Sequence, residues 1–299
     1  MSLRILQFGA TGALAREVLA RQDRSVAVKA LSRADVDLTD PAAVTRAIEG
    51  ERHVDLVLNA AAYTAVDKAE DEPELAYAVN ARAPEAMARA CAARGVPLIQ
   101  ISTDMVFSGE KPGAYVEDDP TGPLHVYGAS KLAGEEAVLA CLPRALVIRA
   151  SWLFSAYGQN FLQAMLRVGA TQPVLKVVDD QRARPTASGD VAAFILSQAA
   201  RLAQAPAGAA EWGRLHVVNG GVATRVDMAR AIFALAWPDR PSPTVEPVPS
   251  SAFPTPARRA LNAELDTERL GRIFGLQLRP WREALEDVIG QLQPRMATA

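Results

Sequence analysis

The opening of the chain constrains its fold more than any other feature. Residues 4–10, RILQFGA, are nearly continuous apolar sequence ending in Gly9-Ala10-Thr11-Gly12, and helix-spaced GALAREVLARQ follows. An unbroken apolar run suits a strand covered on both faces, and a strand feeding a helix through a glycine turn starts a parallel α/β sheet. The alternation continues to residue 154. VAVKALS (26–32), VDLVLNAAA (54–62), VPLIQIST (96–103) and ALVIRASWLF (145–154) read as strands. Helical sequence lies between them over about 41–51, over 74–94 with Pro84 marking a break, and over 126–141. A loop rich in Gly and Pro covers 108–124. The expectation is α/β: a Rossmann-like, doubly wound parallel sheet.

Beyond residue 152 the pattern loosens. LKVVDDQ and RLHVVNGG still read as strands, GDVAAFILSQAARLA as a helix, and 281–292 as a closing helix, while the proline-rich 238–256 reads as irregular. The expected division is a dinucleotide-binding domain over 1–152, with later elements of about 176–218 packed on it. The rest, 153–299, is expected to be mainly a smaller, interleaved substrate lobe. A chain of 299 residues has the length for two such units.

Charge excludes several function classes. The 32 basic and 34 acidic residues nearly cancel and form no block of one sign, so neither nucleic acid nor a membrane surface is an expected partner. No apolar run reaches the length of a membrane span, and MSLRILQFGA does not read as a signal peptide. Cys91 and Cys141 sit among Ala and Leu as small hydrophobes, which fits a reducing, cytoplasmic setting. His53, His125 and His216 lack ligand-spaced partners, so no metal site is expected.

Three local patterns carry chemistry. The turn after the first strand, Gly9 to Leu14 with Thr11, Gly12 and Ala13, can bring backbone N–H groups and a helix N-terminus to a pyrophosphate. Ser32-Arg33 follows the second strand, where an NAD site usually has a carboxylate. A hydroxyl and a guanidinium there suit a 2′-phosphate, so NADPH is expected, with NADH the alternative. Asp37 and Leu38 can line the adenine pocket. Tyr127-Gly128-Ala129-Ser130-Lys131 opens a helix, so the phenol and the ammonium share a face one turn apart. A nearby cation stabilises phenolate, and Lys131 is expected to lower the Tyr127 pKa and to hold ribose hydroxyls. Upstream, Ser102-Thr103-Asp104 ends a strand at the sheet edge where such folds bind ligands. Thr103 can donate to a carbonyl oxygen of the substrate.

In this order the motifs resemble the extended short-chain dehydrogenase/reductase superfamily. Asn59-Ala60-Ala61-Ala62-Tyr63-Thr64-Ala65-Val66-Asp67-Lys68-Ala69-Glu70 is similar to a signature of the dTDP-4-dehydrorhamnose reductase family. Asp37 to Asp40, Ser102 to Phe107, Arg149 to Phe154, Gly158 to Phe161, Asp180 to Thr186 and Pro256 to Leu265 extend the resemblance over almost the whole chain. It implies NADPH-dependent reduction of the C4 ketone of dTDP-6-deoxy-L-lyxo-4-hexulose to dTDP-L-rhamnose. Tyr127 would be the proton donor, Lys131 would set its pKa, and Thr103 would share the oxyanion. By resemblance the cofactor side also takes in Ala60, Ala61, Ala62, Tyr63 and Thr64. Asp104 and Trp152 would contact the sugar, and Arg259 the diphosphate.

The sequence departs from the family in places. Met105 stands where a tyrosine is common, His125 where an asparagine is, and Ala15 replaces a glycine. Ala260 and Ala263 replace a frequent proline and serine near Arg259. Some members hold a divalent ion between subunits through glutamates. Glu17 falls at one such position but Gly189 at a second, so that site is not carried over, and a monomer or a homodimer is expected. Two alternatives stay open. A non-catalytic NADP-binding regulatory subunit need not keep Thr103, Tyr127 and Lys131 together. Another sugar-nucleotide reductase, epimerase or dehydratase would differ beside Thr103 or after the second strand.

Overall fold

A computed structural model describes residues 2–296. Its first half runs β1 (Leu3–Phe8), α1 (Ala13–Arg21), β2 (Val26–Leu31), α2 (Pro41–Glu49), β3 (Leu56–Asn59), α3 (Pro73–Tyr77), α4 (Ala83–Arg94), β4 (Leu98–Thr103), α5 (Val126–Cys141) and β5 (Ala145–Ala150). Then come β6 (Leu153–Phe154), α6 (Phe161–Gly169), β7 (Val174–Val178), β8 (Arg182–Ala183), β9 (Thr186–Ala187), α7 (Ser188–Gln204) and β10 (Gly213–His216). The chain ends with β11 (Ala223–Thr224), α8 (Arg225–Ala236), β12 (Thr244–Val248), β13 (Asn262–Ala263), α9 (Glu268–Phe274) and α10 (Trp281–Met296).

Six strands form one sheet in the order β10-β5-β4-β3-β1-β2, with every pairing parallel. From β1 the chain moves outward to β2, then returns to the other side of β1 for β3. The winding reverses between β1 and β3, and a crevice opens there beyond the carboxyl ends of the strands. Both faces are covered, which explains the apolar runs: β3 and β5 are buried at every position. One face packs against α1, α7 and α9 through Val18, Ile195 and Leu270; the other packs against α2, α4 and α5 through Ile48, Met87 and Val138. This is the expected α/β architecture.

A second core lies apart, where Phe154, Leu175, Val177, Ile232, Phe233, Leu285 and Val288 pack together. Within 176–218, α7 and β10 join the large sheet, whereas Val177 belongs to this second core. Met1 and residues 297–299 of the two expected ranges lie outside the described residues. None of the described helices is long and apolar enough to cross a membrane.

Three expectations shift. The run 145–154 is two strands, because Trp152 has φ of 41° and turns the chain out of the sheet before β6 pairs with β9. The segment 238–256 is not wholly irregular: β12 pairs in parallel with β7, and its Pro247 is tolerated because β12 has β7 as its one neighbour. The break in 74–94 is a π-helical turn, Ala78–Arg82, which ends just before Pro84 in the first turn of α4.

Candidate active site

The crevice is built first from backbone. Gly9 has φ of +94°, and a Cβ there would stand 3.1 Å from Ala61 N and 3.2 Å from the Ala60 carbonyl carbon. The glycine turn and the alanine loop after β3 thus cross at the switch point with no room for a side chain. Buried Gln7 fixes the turn from below, donating to the carbonyls of Gly9 (2.8 Å) and Ala15 (3.3 Å). At Gly12 an added Cβ would meet nothing within 4 Å, and no side chain caps the N-terminus of α1. Open space in front of unpaired N–H groups fits a dinucleotide diphosphate. Thr11 is exposed and Ala13 half-buried, whereas the Leu14 side chain lies in the core and can offer only backbone.

The rest of the expected cofactor side is partly engaged already. Ser32 Oγ donates to Asp35 Oδ2 at 2.6 Å and its N–H does so at 2.7 Å, while Arg33 is exposed. These bonds lower the Asp35 pKa. Asp37 Oδ1 accepts from Thr39 N and Oγ1, and Leu38 packs on the core. Ala60, Ala61 and Ala62 are half-buried and Thr64 is exposed. The Tyr63 phenol donates to Glu72 at 2.7 Å. Asn80, in the π-helical turn, was not singled out from the sequence. Its Oδ1 accepts from Tyr63 N (2.9 Å), and its Nδ2 reaches Tyr63 O and, at 3.0 Å, Ser130 Oγ on α5.

The catalytic candidates converge at the carboxyl end of β4. Thr103 closes that strand, and Tyr127 stands in the first turn of α5. Gly128 lets the helix start close by, since a Cβ there would be 2.3 Å from Met105 O. His125 caps α5, its Nδ1 accepting from Gly128 N at 3.0 Å. The hydroxyl of Thr103 hydrogen-bonds to Asp104 at 2.8 Å and stands beside the Tyr127 phenol. Asp104 is buried and also accepts from Ser151 Oγ at 2.7 Å. Lys131, 3% exposed, donates to the Ile101 carbonyl at 2.6 Å.

Electrostatics correct one expectation. Lys131 does not depress the Tyr127 pKa in the protein alone. Burial is the largest influence and raises it, and the neighbouring Thr103 hydroxyl only partly opposes that. The phenol therefore rests protonated, as a proton donor must. Burial lowers Lys131 to about 8, with Glu135 opposing.

Asp104, Trp152 and Arg259 line one small cavity with Met105, His125, Gln181 and Arg225. It adjoins a cavity of about 850 Å³ that shares Leu124, Gln181, Arg225 and Arg259 with it and adds Lys176, Arg258, Phe161 and Phe253. Arg225 was missed from the sequence. Thr224 and Asp227 form a reciprocal capping box that starts α8 at Arg225, a signal that marks a helix start but not where the next side chain points. Its guanidinium lies 3.5 Å over the Trp152 ring, and burial lowers its pKa to about 10. Arg259 donates to Asp67 at 2.9 Å and to the Ala257 carbonyl at 2.7 Å. Glu17 is buried and taken up by Arg21 and by Ser155 (2.6 Å), and the Arg21 guanidinium fills the space over Gly189. Among the described residues no group of three or more His, Cys, Asp or Glu could hold a metal ion.

The family model described as the RmlD substrate binding domain matches residues 3–293. A dTDP-4-dehydrorhamnose reductase of Mycolicibacterium smegmatis is 43% identical over 97% of this chain and 86% of its own length. One from Streptomyces griseus is 44% identical over 95% of this chain and 92% of its own. Among solved structures, a Bacillus anthracis dTDP-4-dehydrorhamnose reductase in complex with NADP is 31% identical with a TM-score of 0.90, over 97% of this chain and 100% of that one. The chain belongs to the dTDP-4-dehydrorhamnose reductase family.

Proposed function

We propose that this protein reduces the C4 ketone of dTDP-6-deoxy-L-lyxo-4-hexulose to dTDP-L-rhamnose with NADPH. The observation that carries the reading is the Thr103 hydroxyl beside the Tyr127 phenol, set between the open Gly12 turn and a cavity edged by arginines. Gly9 to Leu14, Ala60 to Thr64 and Lys131 hold the dinucleotide, with Ser32, Arg33, Asp37 and Leu38 at its adenosine end. When bound, NADPH supplies the two electrons that the carbonyl carbon accepts. Tyr127 gives its phenolic proton to the developing alkoxide, Thr103 donates a second hydrogen bond to that oxygen, and the Lys131 ammonium favours the phenolate left behind. Asp104 and Trp152 face the sugar.

The larger cavity suits the nucleotide diphosphate. Lys176, Arg225, Arg258 and Arg259 outnumber the single carboxylate of Glu110 in its lining. The sheet with its flanking helices serves the cofactor, and the segment beyond 152 mainly serves the substrate. A cytoplasmic monomer or homodimer fits this role, since both substrate and cofactor are soluble metabolites. The complete Thr103, Tyr127 and Lys131 set favours an enzyme over a regulatory subunit. Purified protein should consume NADPH only when the 4-keto sugar nucleotide is supplied, and Tyr127→Phe should lower kcat by about 10²-fold or more. Equal turnover by that variant would remove Tyr127 from its role.

A further inference from the structure

Thr103 has one proton and two lone pairs to distribute. Met105 N–H donates to Thr103 Oγ1 at 3.2 Å and occupies one lone pair. Asp104 Oδ1 lies 2.8 Å from the same oxygen, and the Tyr127 phenol stands beside it. If Asp104 is ionised, it takes the only proton of Thr103, and that hydroxyl has nothing left to donate to a substrate oxygen. If Asp104 is neutral, a proton on Oδ1 fills the second lone pair. Thr103 is then free to donate toward Tyr127 and the oxygen that replaces it as acceptor. The other carboxyl oxygen, Oδ2, meanwhile accepts from Ser151 Oγ at 2.7 Å, as an unprotonated carbonyl oxygen should.

We propose that Asp104 works as a neutral carboxylic acid that donates to Thr103, making it a positioning residue for the donor pair that meets the substrate oxygen. The inference rests on the reductase reading of the site. Asp104 keeps its proton throughout; the proton transferred is that of Tyr127. The surroundings favour the neutral form. Asp104 is 2% exposed, and burial is the largest influence on it, raising its pKa. Ser151 and Thr103 hydroxyls face it from the strand ends, and the Tyr127 phenol from α5. Arg225 faces it from α8 and opposes burial, but that guanidinium is itself stacked on Trp152 and set beside Arg259. His125 lines the same cavity, and burial and Arg259 lower its pKa toward the neutral imidazole.

Infrared difference spectra between wild type and Asp104→Asn at neutral pH test the protonation directly. The wild type should show a protonated-carboxyl carbonyl band that the variant lacks. The comparison also separates Asp104 from Glu117, whose pKa burial likewise raises. As the pH rises, the band and the wild-type kcat should fall with one midpoint. Asp104→Asn, whose amide can donate to Thr103, should lose less kcat than Asp104→Ala and lack that step. Asp104→Ala should lose about 10²-fold in kcat with KM little changed, on the scale of general acid catalysis. Absence of the band at neutral pH would overturn the proposal. So would a kcat loss in Asp104→Asn as large as that in Asp104→Ala when the Asn variant still binds NADPH, measured by fluorescence titration. A wild type that binds NADPH yet reduces no nucleotide-linked ketosugar would instead sink the reductase reading and leave the infrared result standing.

Discussion

Two buried carboxyls are reached from adjacent residues of β4, and they are treated in opposite ways. Glu135 on α5 is fully buried and surrounded by permanent donors. Arg149 contacts both its oxygens (2.7–3.2 Å), Arg214 Nε is 3.2 Å away, and the Ser102 hydroxyl donates to it. Asp104 receives two hydroxyls, from Thr103 and Ser151, with Arg225 as its cationic neighbour. The first group is gripped by two guanidiniums and a hydroxyl. The second sits where a proton can stay on the carboxyl. One is scaffold and the other is adjustable, and the shared strand places the adjustable one within reach of Tyr127.

Breaking the scaffold should be the largest effect. Arg149→Met would leave Glu135 without its main partner and should cost about 3–5 kcal/mol, measured by urea unfolding. Adding Glu135→Leu should recover part of that loss; no recovery would mean that the pair is not the source. The same region should carry an acid sensitivity. His216 is fully buried, edge-on to Phe107, and burial with Arg149 lowers its pKa to about 3. A histidine held neutral in the fold contributes stability above its unfolded pKa, and that contribution is lost as pH falls from about 6.5 toward 3, at up to about 1.4 kcal/mol per unit. Stability should therefore drop by roughly 2 kcal/mol between pH 6.5 and 5, and His216→Gln should flatten the profile.

The adjustable side should behave differently. Lys131→Met removes a buried ammonium while Glu135 keeps its arginines. It should abolish most turnover yet raise the unfolding free energy by about 1 kcal/mol, because desolvating the ion opposes folding. A clear loss of stability would show that Lys131 belongs to the scaffold. In the wild type, kcat/KM should fall as the pH rises through about 8, where Lys131 loses its charge.

Much of this was legible from the chain alone where the signal is local. The glycine turn, Thr103 and the Tyr127–Lys131 spacing need only a few neighbouring residues, and the apolar runs placed most strands of the large sheet. What the sequence hid depends on distant partners. Asn80 acts on Ser130 fifty residues on. Glu135 meets residues of β4, β5 and β10, and Arg225 reaches the crevice by the pitch of α8. The splitting of 145–154 was hidden too, because a tryptophan in left-handed backbone is held there by surroundings rather than by its own preference. The Tyr127 pKa departs from the expectation for the same reason: spacing reveals the nearby cation but not the burial.

The π-helical turn has a broader consequence. Asn80 grips the loop after β3 through Tyr63 and touches α5 through Ser130. Its own carbonyl would lie 2.0 Å from any Cβ at position 134, so only glycine lets the helix rest against it. A single amide thus gauges the gap between the loop after β3 and the phenol-bearing helix, so one side chain sets the width of that end of the crevice.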